Sequence, residues 1–302
     1  MSMDHSINYN ITGTDLERTN IEDLIYYLDT YWWFSVVASF LYVIVIFGGR
    51  QLMKSYNKFN LTYPLVVWNL TLAVFSMIGT IRLFPNLHYA LTHLGFHDSV
   101  CSAEWASLPV VRMWTFLFAL SKIVELGDTV FIVLRKQPLI LLHWYHHITV
   151  LIYTWNSVAE RTSSGRWYIT MNYAVHSIMY MYYAASALKY RAPNAVKMCI
   201  TLFQLSQMVV GVYIAVYVYK LKQAGVACGI TDSNMRLSFA MYFSYFLLFA
   251  KFFYDAYLKP KPKRPSKSES NGHQMISNGT TANGHALNGQ AHRYNTRSKK
   301  LE

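Results

Sequence analysis

The sequence predicts an all-α integral membrane protein of seven transmembrane helices, with its N-terminus lumenal and its C-terminus cytosolic. Three observations carry that reading. The 302 residues are 53% hydrophobic and only 14% charged, whereas a soluble domain runs near a quarter charged. The charges gather in short clusters between apolar runs, and those runs have lengths that suit a bilayer. Basic residues then divide unequally between alternate connections, seventeen on one side and six on the other, and the richer side is expected to face the cytosol. The length would admit two soluble domains, but the apolar runs leave no room for a water-soluble core.

Taken in order, residues 1–31 form a polar, acidic lumenal segment in which Asp4, Asp15, Glu17, Glu22, Asp23 and Asp29 stand against a single Arg18. No basic n-region precedes the first apolar run, so no cleaved signal peptide is expected. The spans are read at about 32–48, 65–83, 112–134, 138–157, 167–188, 198–219 and 236–257, together a seven-span domain over 32–258. Arg50, Lys54 and Lys58, then Arg135 and Lys136, then Lys189, Arg191 and Lys197 mark the cytosolic connections. Residues 259–302 are rich in Asn, Gly, Ser and Lys and read as a disordered basic tail. The tail ends in "KKLE", which resembles a dilysine signal of endoplasmic-reticulum residents and requires a cytosolic C-terminus.

The net charge of +12 therefore follows topology, with attraction for an anionic substrate left open and no expectation of nucleic-acid binding. Cys101 and Cys228 fall in two lumenal connections, where a disulfide can form. Cys199 reads as a packing residue. Of the N-x-[ST] sites, Asn60 and Asn278 fall on the cytosolic side, and only Asn10 is a candidate for glycosylation.

Ionisable groups inside spans are costly and mark functional sites. "KIVELGDT" sets Lys122, Glu125 and Thr129 on one helical face with Asp128 beside them. "HWYHH" sets His143, His146 and His147 at i, i+3 and i+4, and "NYAVHSIMYMYY" places Asn172, His176, Tyr180 and Tyr183 on one stripe. "TLFQLSQ" adds Gln204 and Gln207. At about 1.5 Å per residue, all four groups lie roughly 10–20 Å in from the nearest cytosolic charges. Four spans of alternating direction thus bring their polar residues to one slab, which predicts one buried site reached from the cytosol. Plainer readings stand beside this one. Lys122 and Glu125 can simply neutralise each other, and the glutamines can be interhelical hydrogen-bond partners.

The histidines admit two chemistries. Of the eleven histidines, His5, His88, His93 and His97 are lumenal by this topology and His273, His285 and His292 lie in the tail, so only four share the slab. Four imidazoles can bind one zinc, but the set is too small for a di-iron centre of the desaturase kind, and no metal is expected. Without a metal, a neutral imidazole can accept an acyl group from a thioester, with its neighbours acting as base and hydrogen-bond donors.

The four boxes, in this order on successive spans, resemble the signature set of the very-long-chain fatty acid elongases, the membrane 3-ketoacyl-CoA synthases of the endoplasmic reticulum. The resemblance covers about residues 30–258. It implies seven helices enclosing an acyl tunnel open to the cytosol, in which acyl-CoA and malonyl-CoA give 3-ketoacyl-CoA, CoA and carbon dioxide with no redox cofactor or metal. His146 is then expected to accept the acyl group, and His176 to assist from the facing wall. His143 and His147 hold the box and serve as base or donors. Asn172, Tyr180, Tyr183, Gln204 and Gln207 are expected to line the substrate positions, while Lys122, Glu125 and Asp128 brace the site. Lys251 is expected either to meet a CoA phosphate or to pair with Asp255.

The chain departs from the family pattern at Val124, where Pro is common, and at Met181, where Ser is common; Met181 is expected to shape the tunnel. "LRKQPLILLHWYHHITVLIY" and "MNYAVHSIMY" resemble the subgroup acting on saturated and monounsaturated, palmitoyl-type chains. Expected partners are the lipid bilayer and the ketoacyl-CoA reductase, dehydratase and enoyl-CoA reductase of the same cycle, with homo-oligomerisation left open. Two other classes compete: a metal-dependent membrane lipid oxidase, and a seven-span receptor or transporter. No internal repeat supports the transporter.

Overall fold

The structure, a computed structural model, describes residues 13–15, 17 and 21–259; Asn10 and the tail from residue 260, including "KKLE", lie outside the described residues. Among the described residues the regular structure is entirely helical. The helices are α1 (Glu22–Thr30), α2 (Phe34–Leu52), α3 (Thr62–Tyr89), α4 (Gly95–Cys101), α5 (Pro109–Val124), α6 (Gly127–Leu134), α7 (Leu141–Ala159), α8 (Gly165–Ala187), α9 (Asn194–Gln223) and α10 (Asp232–Phe253). Each of the seven apolar segments of the sequence falls on helix.

Four helical runs are long and apolar enough to cross a membrane: Phe34–Ser55, Thr62–Cys101, Asn194–Gln223 and Asp232–Leu258. The chain is thus a helical membrane protein. α5 and α6 have 16 and 8 residues, and α7 and α8 carry the polar boxes, so apolar length does not mark them. Large apolar side chains such as Phe40, Val67, Ile81 and Tyr213 point outward, as lipid contact requires.

The third segment differs from the single run that the sequence predicts, because it breaks between Val124 and Gly127. There the N–H groups of Leu126, Asp128 and Thr129 donate to carbonyls three residues back, at 3.0–3.2 Å, in the tighter 3₁₀ manner. The turn sends Glu125 back toward Lys122 and Asp128 across to α3 and α8. It separates two charged groups that an unbroken helix would carry on one face.

α3 and α8 form the most extensive helix pair. They approach closely because Gly79 has no side chain: a Cβ there would stand 2.7 Å from the ring of Tyr173. Tyr173 in turn donates its hydroxyl to Trp114 O at 3.0 Å, tying α8 to α5. α2 packs on α6 and α7, α5 on α7, and α9 on α8. Tyr153, Tyr168, Met208, Met241, Tyr242 and Tyr245 join α7–α10 in one buried cluster.

The two ends of the bundle are distinct. At one end, Phe59 N–H donates to Leu134 O at 3.1 Å, linking the α2–α3 connection to the connection that holds Arg135 and Lys136. At the other, a disulfide joins Cys101 to Cys228. Gly229 N–H donates to Cys101 O and Ser163 N–H to Gly229 O, both at 2.9 Å, so three connections meet at this disulfide end. Glu17 is buried there, accepting from Arg82 Nε and Nη2 at 2.7 and 2.6 Å and from Trp114 Nε1 at 2.7 Å.

The chain separates into two compact units, the first ending at Lys251 and the second beginning at Phe252. Among the described residues of the second, Tyr254–Leu258 form a π turn, and Lys259 N–H donates to Tyr254 O at 2.8 Å.

Candidate active site

His143, His146 and His147 occupy the first two turns of α7. Helical spacing stacks them on one side, with ring centroids 4.5 Å apart for His143 and His147 and 5.6 Å for His146 and His147. His143 Nε2 lies 2.9 Å from Thr129 Oγ1, which lies 2.6 Å from Tyr42 OH. That chain ties α7 through α6 to α2. His146 sits against Tyr245 of α10, with centroids 4.9 Å apart. Tyr245 OH lies 2.6 Å from Thr149 Oγ1 and donates to His146 O at 3.2 Å, so the backbone carrying His146 is held as well as its ring.

The second wall is α8. Asn172 Nδ2 lies 3.2 Å from His176 Nε2, and Asn172 Oδ1 accepts from Lys122 Nζ at 2.9 Å. Lys122 Nζ also donates to Glu125 Oε1 at 2.7 Å, and Ser121 Oγ donates to the same oxygen at 3.1 Å. His176 Nδ1 stands 3.7 Å from that carboxylate. The Lys122 and Glu125 side chains are only 1% and 4% exposed, so this is a fully interior pair, and its reach to Asn172 makes it more than mutual neutralisation. Asp128 accepts from Trp68 Nε1 at 2.6 Å and from Tyr180 OH at 2.7 Å, fastening α3, α6 and α8 around the same level.

A cavity of about 270 Å³ begins at these groups. His146, Asn172, Gln207 and Tyr245 line one end, and Phe116, Phe118, Tyr153, Tyr168, Met208 and Met241 line its length. It reaches Ser107, Arg112, Val158 and Arg161 at the disulfide end. Along α7, twelve residues separate His146 from Val158, which is about 18 Å of depth. The space is long, narrow and mostly apolar, with imidazole and amide groups at one end.

Not every residue expected at the site reaches this space. Gln207 is buried in the lining, but Gln204 donates to Met179 Sδ at 3.1 Å instead. Tyr183 is exposed, with its ring 6.2 Å from that of Tyr180. Lys251 is exposed on α10 and does not line the cavity. Met181 lines a separate groove with Met77, Ile178 and Ile200, so it does not shape the tunnel as expected. Conversely, Tyr245, Tyr42 and Trp68 support the site without having been singled out. They sit in aromatic-rich runs whose composition resembles any lipid-facing segment, and only partners far away in sequence distinguish them.

Fold and site together define a helical membrane protein whose apolar cavity ends on facing imidazoles. Residues 27–265 match the ELO: GNS1/SUR4 family, and the chain belongs to that family. It is 53% identical over 223 residues to very long chain fatty acid elongase 6 of Drosophila melanogaster, covering 73% of this chain and 71% of the relative. It is 44% identical over 253 residues to the human elongase 6, covering 84% and 95%. Against mouse elongase 3 it is 43% identical over 248 residues, covering 82% and 91%.

Proposed function

We propose that the protein is the condensing enzyme of fatty acid elongation, a 3-ketoacyl-CoA synthase acting in a membrane on acyl-CoA and malonyl-CoA. Family membership and the similarity to named elongases support the activity. The observation that carries the mechanism is the apolar cavity ending on His146 and Asn172, with His176 bonded to Asn172. The fatty chain lies in the cavity with its thioester at the imidazoles. His146 attacks the thioester carbonyl, the C–S bond breaks, and CoA leaves as thiolate and takes up a proton. Malonyl-CoA then loses carbon dioxide, and the resulting enolate carbon attacks the acyl-imidazole, which releases 3-ketoacyl-CoA and restores the neutral ring.

His176 and Asn172 steer this second half. Imidazole and amide N–H groups facing a developing oxyanion stabilise it most in a site free of water. Lys122 and Glu125 position Asn172, and Asp128 positions Tyr180. Tyr180, Tyr183, Gln204, Gln207 and Lys251 serve the CoA and malonyl groups outside the acyl cavity or at its mouth. No metal or redox cofactor takes part, because condensation coupled to decarboxylation transfers no net electrons.

The domain over 32–258 spans the endoplasmic-reticulum membrane seven times, with residues 1–31 lumenal and 259–302 cytosolic. The basic residues of the α6–α7 and α8–α9 connections at one end, and the disulfide at the other, support that orientation. A depth of about 18 Å suits a saturated or monounsaturated chain of palmitoyl length, since a zigzag of about 1.5 Å C–C bonds advances roughly 1.3 Å per carbon. The product passes to the reductase, dehydratase and second reductase of the cycle in the same membrane.

The test is carbon dioxide release and 3-ketoacyl-CoA formation by detergent-purified protein given palmitoyl-CoA and labelled malonyl-CoA, with chelator and without nicotinamide. Activity in the parent and none in His146→Ala is the expected result. A folded parent inactive on every acyl-CoA would sink the reading.

A further inference from the structure

The inference concerns what ends the acyl cavity, and it rests on the reading of that cavity as the acyl site. Ala103, Trp105, Ala106 and Ser107 line the cavity from the short segment just ahead of α5, at the disulfide end and away from His146. Trp105 is the one large side chain among them, and it is buried at 4% exposure.

Three contacts hold its indole. Nε1 donates to Ser163 O at 3.0 Å. The Arg166 guanidinium lies 5.9 Å from the ring centroid, within the range of a cation–π contact. Gly165, which also lines the cavity, offers the ring a bare backbone: a Cβ there would stand 3.0 Å from Cζ2 and 3.3 Å from Cη2. A ring pinned on three sides in a close-packed interior does not swing aside when an alkyl chain presses on it. The other groups at this end differ, since Glu22 and Arg112 form an ion pair with 64% and 31% side-chain exposure, and a solvated charge pair is no wall for a methyl group.

We propose that Trp105, seated on Gly165, is the stop that sets the maximum acyl length. His176 and Gly165 are eleven residues apart on α8, which is roughly 16 Å by helical rise. Divided by roughly 1.3 Å per carbon, the distances along α8 and α7 allow about 13–14 carbons beyond the reacting carbonyl before the chain meets the indole. A palmitoyl chain fills that length, and a stearoyl chain overruns it.

The experiment measures condensation by the full-length purified protein on saturated acyl-CoAs, stepping by two carbons from below palmitoyl to above stearoyl. The readout is the ratio of turnover between neighbouring lengths, which cancels any uniform loss of folded enzyme. Trp105→Leu is expected to raise the stearoyl-to-palmitoyl ratio roughly tenfold, the worth of burying two more methylenes. Trp105→Phe, which loses the bond to Ser163 but keeps most of the bulk, is expected to raise it less. Gly165→Ala leaves Trp105 in place but pushes the ring toward the cavity, so the palmitoyl-to-myristoyl ratio falls. Ratios that stay at parental values in Trp105→Leu and Gly165→Ala, even with lower overall activity, overturn the proposal and make Trp105 merely structural. A parent inactive at every length overturns the elongase reading beneath it instead.

Discussion

Replacing Lys122 with Met tests how the interior charge pair supports the site. Met keeps the length and apolar stem of Lys122 and removes only the nitrogen that joins Glu125 at 2.7 Å to Asn172 at 2.9 Å. Glu125, 3% exposed, keeps Ser121 as a hydrogen-bond donor but loses the cation beside it. Breaking one side of a buried pair costs about 3–5 kcal/mol. At 2–4 °C per kcal/mol for a chain of this size, the melting temperature in detergent should fall by roughly 10 °C. Adding Glu125→Leu removes the stranded carboxylate, so the double variant should recover at least half of that loss, a coupling that a thermodynamic cycle reads directly. Condensing activity should not recover with it, because Asn172 Oδ1 still lacks the donor that orients it toward His176. Scanning calorimetry or thermal fluorescence gives the first quantity, and the carbon dioxide release assay gives the second. A Lys122→Met protein with parental melting temperature and turnover refutes the reasoning. So would a double variant that regains full activity along with stability.

Thr129→Val removes the group bridging Tyr42 and His143; it should cost about 1–2 kcal/mol of stability and lower condensation roughly tenfold through a loosened histidine box. Burial alone would raise the Glu17 carboxyl, but hydrogen bonds from Arg82, Trp114 and Thr14 hold it at about 2, below its ordinary 4.5. Its share of stability is therefore complete above pH 4.5 and is lost as the pH falls toward 2, and melting curves of Glu17→Gln should lack that part of the acid dependence shown by the parent. Cys101→Ser with Cys228→Ser opens a link across 127 residues; the loss is at most about 5 kcal/mol in the chain-entropy account, and dithiothreitol should lower the melting temperature of the parent but not of the variant.

Much of the fold is legible because a membrane imposes length and polarity on each helix separately. The apolar runs give α2, α3, α9 and α10 directly, and the spacing of polar residues inside α7 and α8 identifies the helices that carry the site. The break after Val124 is less legible. It depends on Glu125 and Asp128 serving partners in opposite directions, whereas the spacing in "KIVELGDT" suits an unbroken face equally well.

Within the site, His143, His146 and His147 announce themselves by i, i+3, i+4 spacing, and His176 by facing them from another polar box. Tyr245 does not, since its value comes from touching His146 and Thr149 nearly a hundred residues earlier. Gln204, Tyr183 and Lys251 show the converse error: a polar residue at the right depth can still point away from the cavity, because helical depth fixes level but not azimuth. Trp105 carries no signal at all, lying in a connection outside every span, and its contacts with Ser163, Gly165 and Arg166 exist only once the disulfide end is assembled.

The central claim is that an acyl group rests on His146 during turnover. Parent protein incubated with palmitoyl-CoA alone, quenched and digested, should yield a peptide containing residues 141–150 heavier by one palmitoyl group, with fragmentation placing the added mass on His146. A chase with malonyl-CoA should clear that peptide while an equal amount of 3-ketoacyl-CoA appears. The account is contradicted if the parent condenses with no acylated peptide at any time of quench, or if the acyl group sits elsewhere and His146→Ala turns over at the parental rate.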